Sequence, residues 1–171
     1  MVFLGHLFIA LIFIIGLYVA VTYTNLNLEI EDVKNLRRKM QGLFMQRKQA
    51  LGDLAKALSH SPMSEKIGLS AMQDLLDPVE INDFAQQIAV EQQITQLANA
   101  LLCAPELAAQ ANGNAEIQTL QQVLDSCQRQ LAYTQTKYNA AVELYHHHKK
   151  SPYAKVVIKL WKHLDQEYGY A

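Results

Sequence analysis

The first 24 residues constrain this chain most, because they contain no Asp, Glu, Lys or Arg and are largely apolar. As a helix, about 20 residues with a rise of about 1.5 Å each cross the roughly 30 Å hydrocarbon core of a bilayer. A cleaved signal peptide would instead begin with basic residues, have a shorter apolar core and end in a small-residue cleavage site. No basic residue precedes the run, and residues 17–21 make a poor cleavage site. The sequence therefore predicts a retained single-pass anchor over residues 1–24, with the lipid bilayer as one partner.

The charges that flank this run favour one orientation in the membrane. No Lys or Arg precedes it, whereas four follow it within 15 residues: Lys34, Arg37, Arg38 and Lys39. Basic flanks stay on the cytoplasmic side of a membrane. We therefore expect the C-terminal domain to be cytoplasmic. Tyr18 and Tyr23 lie near the predicted exit, where interfacial aromatic residues are common.

The composition of the chain favours helices and argues against nucleic acid as a partner. Only 7 glycines and 4 prolines occur in 171 residues, and 50% of the residues are hydrophobic. A formal net charge of -1 lacks the basic excess of a nucleic-acid binder. Two cysteines, Cys103 and Cys127, are too few for a disulfide framework, and we expect both to be buried as small hydrophobic residues. The sequence predicts one helical domain over residues 25–171.

Apolar residues recur every three or four positions after the anchor, which predicts a long helix that continues it. This stripe comprises Leu26, Ile30, Val33, Leu36, Met40, Leu43, Phe44, Leu51, Leu54 and Leu58. The sequence 59–62 ends in Pro62 and predicts the stop of that helix. A short helix is expected over 64–76, and Asp77 and Pro78 have the residue types of an N-cap and a first helical position. The stripe of this next helix is Ile81, Phe84, Ile88, Ile94, Leu97 and Leu101.

A heptad pattern identifies the last long helix. Its main row is Ile117, Leu124, Leu131, Tyr138 and Tyr145, and its companion row is Leu120, Cys127, Thr134 and Ala141. Such a pattern is typical of helices packed in a coiled-coil manner. A Pro-containing break at 104–106 and a turn at 112–114, with Asn114 as the cap, precede it. The predicted fold is all-α: a transmembrane helix that runs into an antiparallel bundle of three to four long helices.

Residues 153–161 predict a short amphipathic helix after that bundle helix. The simplest arrangement packs it on the end of the bundle. Trp161 offers an alternative, because tryptophan is also enriched at the level of lipid headgroups. The sequence leaves both arrangements open.

Three consecutive histidines, His146, His147 and His148, invite comparison with a metal site. Neighbouring helical residues point about 100° apart, whereas ligands on one helix lie three or four residues apart. With Lys149 and Lys150, the histidines instead form a cationic last turn, which the helix dipole favours. We therefore expect a helix end here. We assign no catalytic, cofactor-binding or metal-ligating residue and expect no cofactor.

Several short segments have a distinctive sequence in addition to their helical periodicity. They are LQQVL at 120–124, QLA at 130–132, YNAAVELY at 138–145, Pro152, YTNL at 23–26 and QRKQAL at 46–51. Together they resemble the LemA family over nearly the whole chain. Departures from its pattern at Ser151, at Gln135 and Thr136, and at residues 51–54 indicate a divergent member. The resemblance implies a membrane-anchored bundle of long helices, an N-terminus outside the cytoplasm and no catalytic residues.

Together with this resemblance, the observations predict a non-enzymatic scaffold or partner-binding protein of the bacterial envelope, anchored in the inner membrane. The resemblance also suggests a protein partner, for example a membrane zinc metalloprotease to which this chain would be accessory. A small-ligand sensor is one alternative, because bundle cores can hold ligand sites. A hydrolase or metal-dependent enzyme is the other, although no motif for it is present. Self-association into a homo-oligomer stays open.

Overall fold

The computed structural model describes residues 2–58, 84–103, 107 and 113–171. Its helices are α1 (Val2–Leu58), α2 (Phe84–Leu102), α3 (Ala115–Lys149) and α4 (Pro152–Leu160), followed by a 3-10 turn, Lys162–Leu164. These residues contain no β-strand, which confirms the all-α prediction. Some predictions lie outside the described residues: the stop at 59–62, the helix at 64–76, the cap at Asp77 and Pro78, Ile81, and the break at 104–106.

Helix α1 runs without interruption from the apolar N-terminal segment into a packed helix, as predicted. Residues 5–18 are all exposed, and full burial begins at Leu26. Within the described residues, α1 is the one helix long and apolar enough to cross a membrane, and none of its apolar segment is buried inside the protein. A continuous apolar surface of this kind is unfavourable in water and compatible with membrane anchoring.

Contacts group the chain into two compact units. Unit 1 contains Met1–Arg37 and Thr136–Tyr170, and unit 2 contains Arg38–Gln135 together with Ala171. Helices α1 and α3 each contribute to both units. The predicted boundary after residue 24 separates membrane from non-membrane segments, which contact units do not address, so it stays a prediction.

Unit 2 is built around an aliphatic core supplied by α1, α2 and α3. The core contains Ala50, Leu51, Leu54, Ala55, Leu58, Ile94, Ala98, Leu101, Leu107, Ile117 and Leu124. The predicted stripes account for most of this core because apolar residues three or four apart share one helix face. In the α2 stripe, Ile88, Ile94 and Leu101 are buried, whereas Phe84 and Leu97 are half-buried.

Unit 1 has a smaller core, where α1 meets the end of α3 and α4. Leu26, Ile30, Tyr145, Ala154, Val157 and Leu164 form it. Glu29 contacts His148, and Arg37 lies close enough to Tyr138 to lower the pKa of its hydroxyl. The later residue of α1 thus meets the earlier residue of α3, so the two helices run antiparallel here. All five residues of the heptad row are buried, as are nine of the ten α1 stripe residues, with Leu36 half-buried.

The structure also tests two local predictions. Asn114 caps α3, since its side-chain Oδ1 accepts hydrogen bonds from the backbone N–H groups of Glu116 (2.9 Å) and Ile117 (3.4 Å). Cys127 is buried as expected, and burial raises the pKa of its thiol against the opposing effect of Arg47. The prediction for Cys103 is wrong. Its side chain is exposed, because the residue directly follows the last turn of α2.

Leu124→Ala should strongly destabilise unit 2. Leu124 is fully buried, and truncation of a buried leucine costs about 2–5 kcal/mol through lost contacts and a residual cavity. Chemical denaturation of the full chain in mild detergent, followed by circular dichroism, would measure the loss. Gln122→Ala is the matched control, because Gln122 is exposed on the same helix. Equal and small effects at both positions would contradict the observed register of α3.

Candidate functional site

Two tyrosines of α3 hold the chain that follows α4. The Tyr145 hydroxyl donates to the backbone carbonyl of Leu164 at 2.7 Å and accepts from the backbone N–H of Gln166 at 2.9 Å. Seven residues earlier on α3, the Tyr138 hydroxyl donates to the backbone carbonyl of Gly169 at 3.0 Å. Burial raises the pKa of Tyr138, which Arg37 partly opposes, so its hydroxyl stays a donor at neutral pH. We call residues 162–170 the C-terminal tail.

The cationic end of α3 adds to this attachment. His146 Nε2 lies 2.9 Å from the carbonyl of Tyr168 and donates to it in the Nε2–H tautomer. Lys149 Nζ donates to the carbonyl of Gln166 at 2.9 Å and lies 2.7 Å from the Asp165 carboxylate. Desolvation lowers the pKa of Lys149, but the hydrogen bond to Asp165 and nearby negative groups outweigh it, so the pKa is raised. Lys149 therefore remains a cation that fixes the tail.

The three histidines therefore have separate surroundings. His146 contacts the tail, His148 pairs with Glu29 of α1, and His147 is exposed. Helix α3 ends at Lys149, where the sequence predicts its end. Spacing alone did not predict the contacts of His146, His148 and Lys149, which are all tertiary. Across the part of the chain that the structure describes, no group of three or more His, Cys, Asp or Glu is placed to hold a metal ion.

Helix α4 packs against α1 beside the apolar N-terminal segment. Ser151 caps α4, since its Oγ accepts from the N–H of Ala154 at 3.2 Å, and Pro152 follows in the first turn. The rings of Tyr18 and Tyr153 meet with centroids 4.9 Å apart. The structure thus confirms the predicted helix and places its first turn against Tyr18.

A groove of about 740 Å³ lies between α4, the end of α3 and the tail. We call it the lysine groove. Its lining residues are His146, Lys149, Lys150, Lys155, Ile158, Lys159, Lys162 and Asp165. Five lysines face one carboxylate there, so the groove favours an anionic occupant.

Unit 2 contains a different polar feature, a buried ion pair. Arg47 is 1% exposed and pairs with the carboxylate of Glu91, which is also buried. The Arg47 guanidinium also donates to Thr95 Oγ1 at 2.5 Å and to the Glu91 backbone carbonyl at 3.1 Å. Lys48 Nζ approaches the same carboxylate at 4.0 Å. The basic pair in the QRKQAL segment therefore converges on one acidic residue of α2.

A polar pocket of about 320 Å³ opens beside this ion pair. Its lining residues are Arg47, Thr95, Asn99, Asp125, Gln128, Arg129, Leu131, Ala132 and Gln135. Two buried donors of the lining, Arg47 Nε and Gln128 Nε2, have no hydrogen-bond partner within the described residues. Buried donors of this kind favour a further acceptor in the pocket, such as water or a small molecule.

Tyr145→Phe should release the tail without unfolding unit 1. The change removes one donor and one acceptor and leaves the Gln166 N–H unsatisfied, at a cost of about 1–3 kcal/mol. Hydrogen exchange of the full chain in detergent should show faster exchange in residues 164–170. Tyr153→Phe is the control, because Tyr153 is exposed and keeps its ring. Unchanged exchange at the tail would contradict its attachment through Tyr145.

The buried pair should show strong coupling in a double-mutant cycle. Arg47→Met or Glu91→Leu alone leaves an unpaired buried charge, which costs about 3–5 kcal/mol, whereas the double variant removes both charges and should lose much less than the sum. Denaturation in detergent measures each free energy of unfolding. The control pair is Arg129 and Asp125, whose 2.6 Å contact is exposed and should contribute at most about 0.5 kcal/mol. Additive losses at Arg47 and Glu91 would refute the coupling.

Comparison with known proteins agrees with the resemblance seen in the sequence. No curated protein and no solved structure matches the chain. The family model for the LemA family matches residues 23–170, nearly the whole chain beyond the apolar segment. The match includes the tyrosines of α3, the basic pair Arg47 and Lys48 of α1, and the tail. The chain belongs to the LemA family.

Proposed function

We propose that this protein is a non-enzymatic, single-pass protein of the bacterial cytoplasmic membrane whose helical part binds a protein partner. The observation that carries the proposal is the continuity of α1. One helix joins an exposed apolar segment to buried core residues such as Leu26 and Ile30. A bilayer that holds the first segment therefore also holds the packed part of α1 in position.

Contacts of α4 support retention of the anchor. Tyr18 meets Tyr153, and Tyr23 meets Trp161 with ring centroids 5.1 Å apart. Cleavage near residue 22 would remove Tyr18 and with it the ring contact to Tyr153. A segment that takes part in tertiary packing is a poor candidate for removal.

The basic residues support a cytoplasmic location of the helical part. The flank of α1 carries Lys34, Arg37, Arg38 and Lys39. Helix α4, which contacts α1 through Tyr153 and Tyr18, carries Lys155 and Lys159. Positive residues close to a span stay on the cytoplasmic side. Both sets therefore favour the same orientation.

The buried polar groups support a structural role over a catalytic one. Tyr145 is used by the tail, and Arg47 is used by Glu91 and Thr95. Catalysis needs polar groups that converge on a substrate in a cleft. In both clusters most of the polar groups pair with one another, which supports a scaffold.

The partner we propose is another membrane protein, for which a membrane metalloprotease is the example that the family resemblance suggests. Unit 2 exposes large apolar side chains that a partner would cover, most clearly Met45, which is 75% exposed, and Tyr133. Aromatic residues and methionine are enriched in protein interfaces. Met45 is therefore the position at which we expect partner binding to be most sensitive.

A small-ligand sensor is the second candidate, and one observation favours it. The unpartnered donors Arg47 Nε and Gln128 Nε2 line the same polar pocket. A ligand with a carboxylate or carbonyl oxygen would satisfy both. In this alternative, unit 2 would report the presence of a small molecule to the membrane.

Purification of the full chain from native membranes in mild detergent separates these candidates. We expect an intact N-terminal segment by mass spectrometry and one membrane protein enriched with the chain. Met45→Glu should lower its recovery several-fold. Gln46→Glu introduces the same charge at the neighbouring exposed position and should leave recovery unchanged.

Other outcomes of that purification would contradict the proposal. A mature protein that starts near residue 22 would exclude the anchor. A small molecule bound without any protein, and lost in Gln128→Leu, would favour the sensor. Equal recovery with both glutamate variants would exclude Met45 from the interface.

A further inference from the structure

We propose that α4 lies in the headgroup layer of the bilayer and that the lysine groove beside it binds the phosphates of anionic phospholipids. This inference rests on the proposed function, since it requires α1 to be embedded in a membrane. It adds a second, lipid-selective contact to the anchor. Three independent features of unit 1 support it: the depth of α4, the arrangement of its faces and the charge of the groove.

The contacts of α4 set its depth along α1. An apolar groove of about 390 Å³ lies between the two helices. Its lining residues are Ile14, Ile15, Tyr18, Val19, Tyr153, Val156 and Val157. Ile14 and Ile15 belong to the apolar segment itself, so a bilayer that surrounds this segment also reaches α4. The groove presents hydrocarbon on both sides and suits an acyl chain.

The side chains of α4 divide into three faces. At about 100° per residue, Ala154 and Val157 point into the core of unit 1. A second face exposes Tyr153, Val156 and Leu160, which are 59%, 57% and 65% exposed. The third face carries Lys155 and Lys159. A short helix with an exposed apolar face beside a cationic face is typical of helices that lie in the plane of a membrane interface.

Aromatic residues mark the same level. Tyr18 and Tyr153 form one ring pair, and Tyr23 and Trp161 form another. Tyr and Trp are enriched where hydrocarbon gives way to headgroups, because each has an apolar body and a polar tip. These pairs support a bilayer boundary beside α4. The burial of Ala154 and Val157 in unit 1 agrees with the expected packing on the end of the bundle, and the proposal adds contact of Trp161 with the headgroup layer.

The positive charge of the lysine groove complements the negative phosphates of anionic phospholipids. Asp165 pairs with Lys149 at 2.7 Å, and Glu167 is the other carboxylate that acts on Lys149. Lys150, Lys155, Lys159 and Lys162 add four further cations around the groove. Lysine binds phosphate as a point charge, and basic clusters beside a membrane are attracted to anionic lipids. A phosphatidylglycerol headgroup carries a negative phosphate, which would offset the excess positive charge of this groove.

Trp161 provides the test, because it is the single tryptophan of the chain. The full chain would be reconstituted in vesicles of phosphatidylcholine mixed with phosphatidylglycerol, with one lipid brominated on its acyl chains at a time. Bromine quenches tryptophan fluorescence only at short range. The ratio of the two quenching curves therefore gives the relative affinity of the two lipids for the site beside Trp161.

We expect quenching by both lipids and an apparent affinity at least about five-fold higher for phosphatidylglycerol, since each lysine near an anionic surface contributes roughly five-fold. Lys155→Gln with Lys159→Gln should bring the ratio towards one. Lys56→Gln with Lys137→Gln is the control of equal charge change at exposed positions of α1 and α3 and should leave the ratio unchanged. High salt should lower the ratio in the unmodified chain.

The outcomes separate this inference from the proposed function. A chain that alkaline carbonate extracts from the vesicles is not membrane-anchored, which would overturn both. A chain that stays in the vesicles while Trp161 is quenched by neither lipid would overturn the location of α4 alone. Equal quenching by both lipids, or an equal fall in the ratio with both lysine pairs, would overturn the assignment of the lysine groove.

Discussion

The structure depends on the burial of one row of side chains along α3. In unit 2 the row is aliphatic, and Ile117 and Leu124 lie in a core of leucine, isoleucine and alanine side chains. In unit 1 the row becomes Tyr138 and Tyr145. Tyrosine fills a core position with its ring and still has a hydroxyl to bond. The same helix face thus builds a core in one unit and holds a backbone segment in the other.

The two units satisfy their buried polar groups by different means. In unit 1, tyrosine hydroxyls bond backbone groups of the tail, and these neutral contacts cost little to desolvate. In unit 2, Arg47 and Glu91 are buried as charges, and each depends on the other. Loss of either partner is therefore far more damaging there. Removal of one buried polar side chain should therefore destabilise unit 2 more than unit 1.

Periodicity predicted the faces of the helices well and their long-range contacts poorly. The α1 stripe and the α3 row could be predicted because residues three, four or seven apart share a face. The tail could not, because residues 162–170 have no repeating pattern that identifies their partners. The pairing of His148 with Glu29 joins residues 119 positions apart. The error at Cys103 arose from residue type, since cysteine is commonly buried and no pattern placed this one after a helix end.

The unbroken course of α1 has a mechanical consequence in a bilayer. A hydrophobic span that exceeds the local hydrocarbon thickness tilts to hide its ends. A kink at proline would absorb that tilt, but α1 contains no proline and is continuous from Val2 to Leu58. Tyr153 and Trp161 also contact α1 beside the span. With the membrane location proposed above, a thicker or thinner bilayer would therefore change the angle at which α4 and its lysines meet the lipid surface.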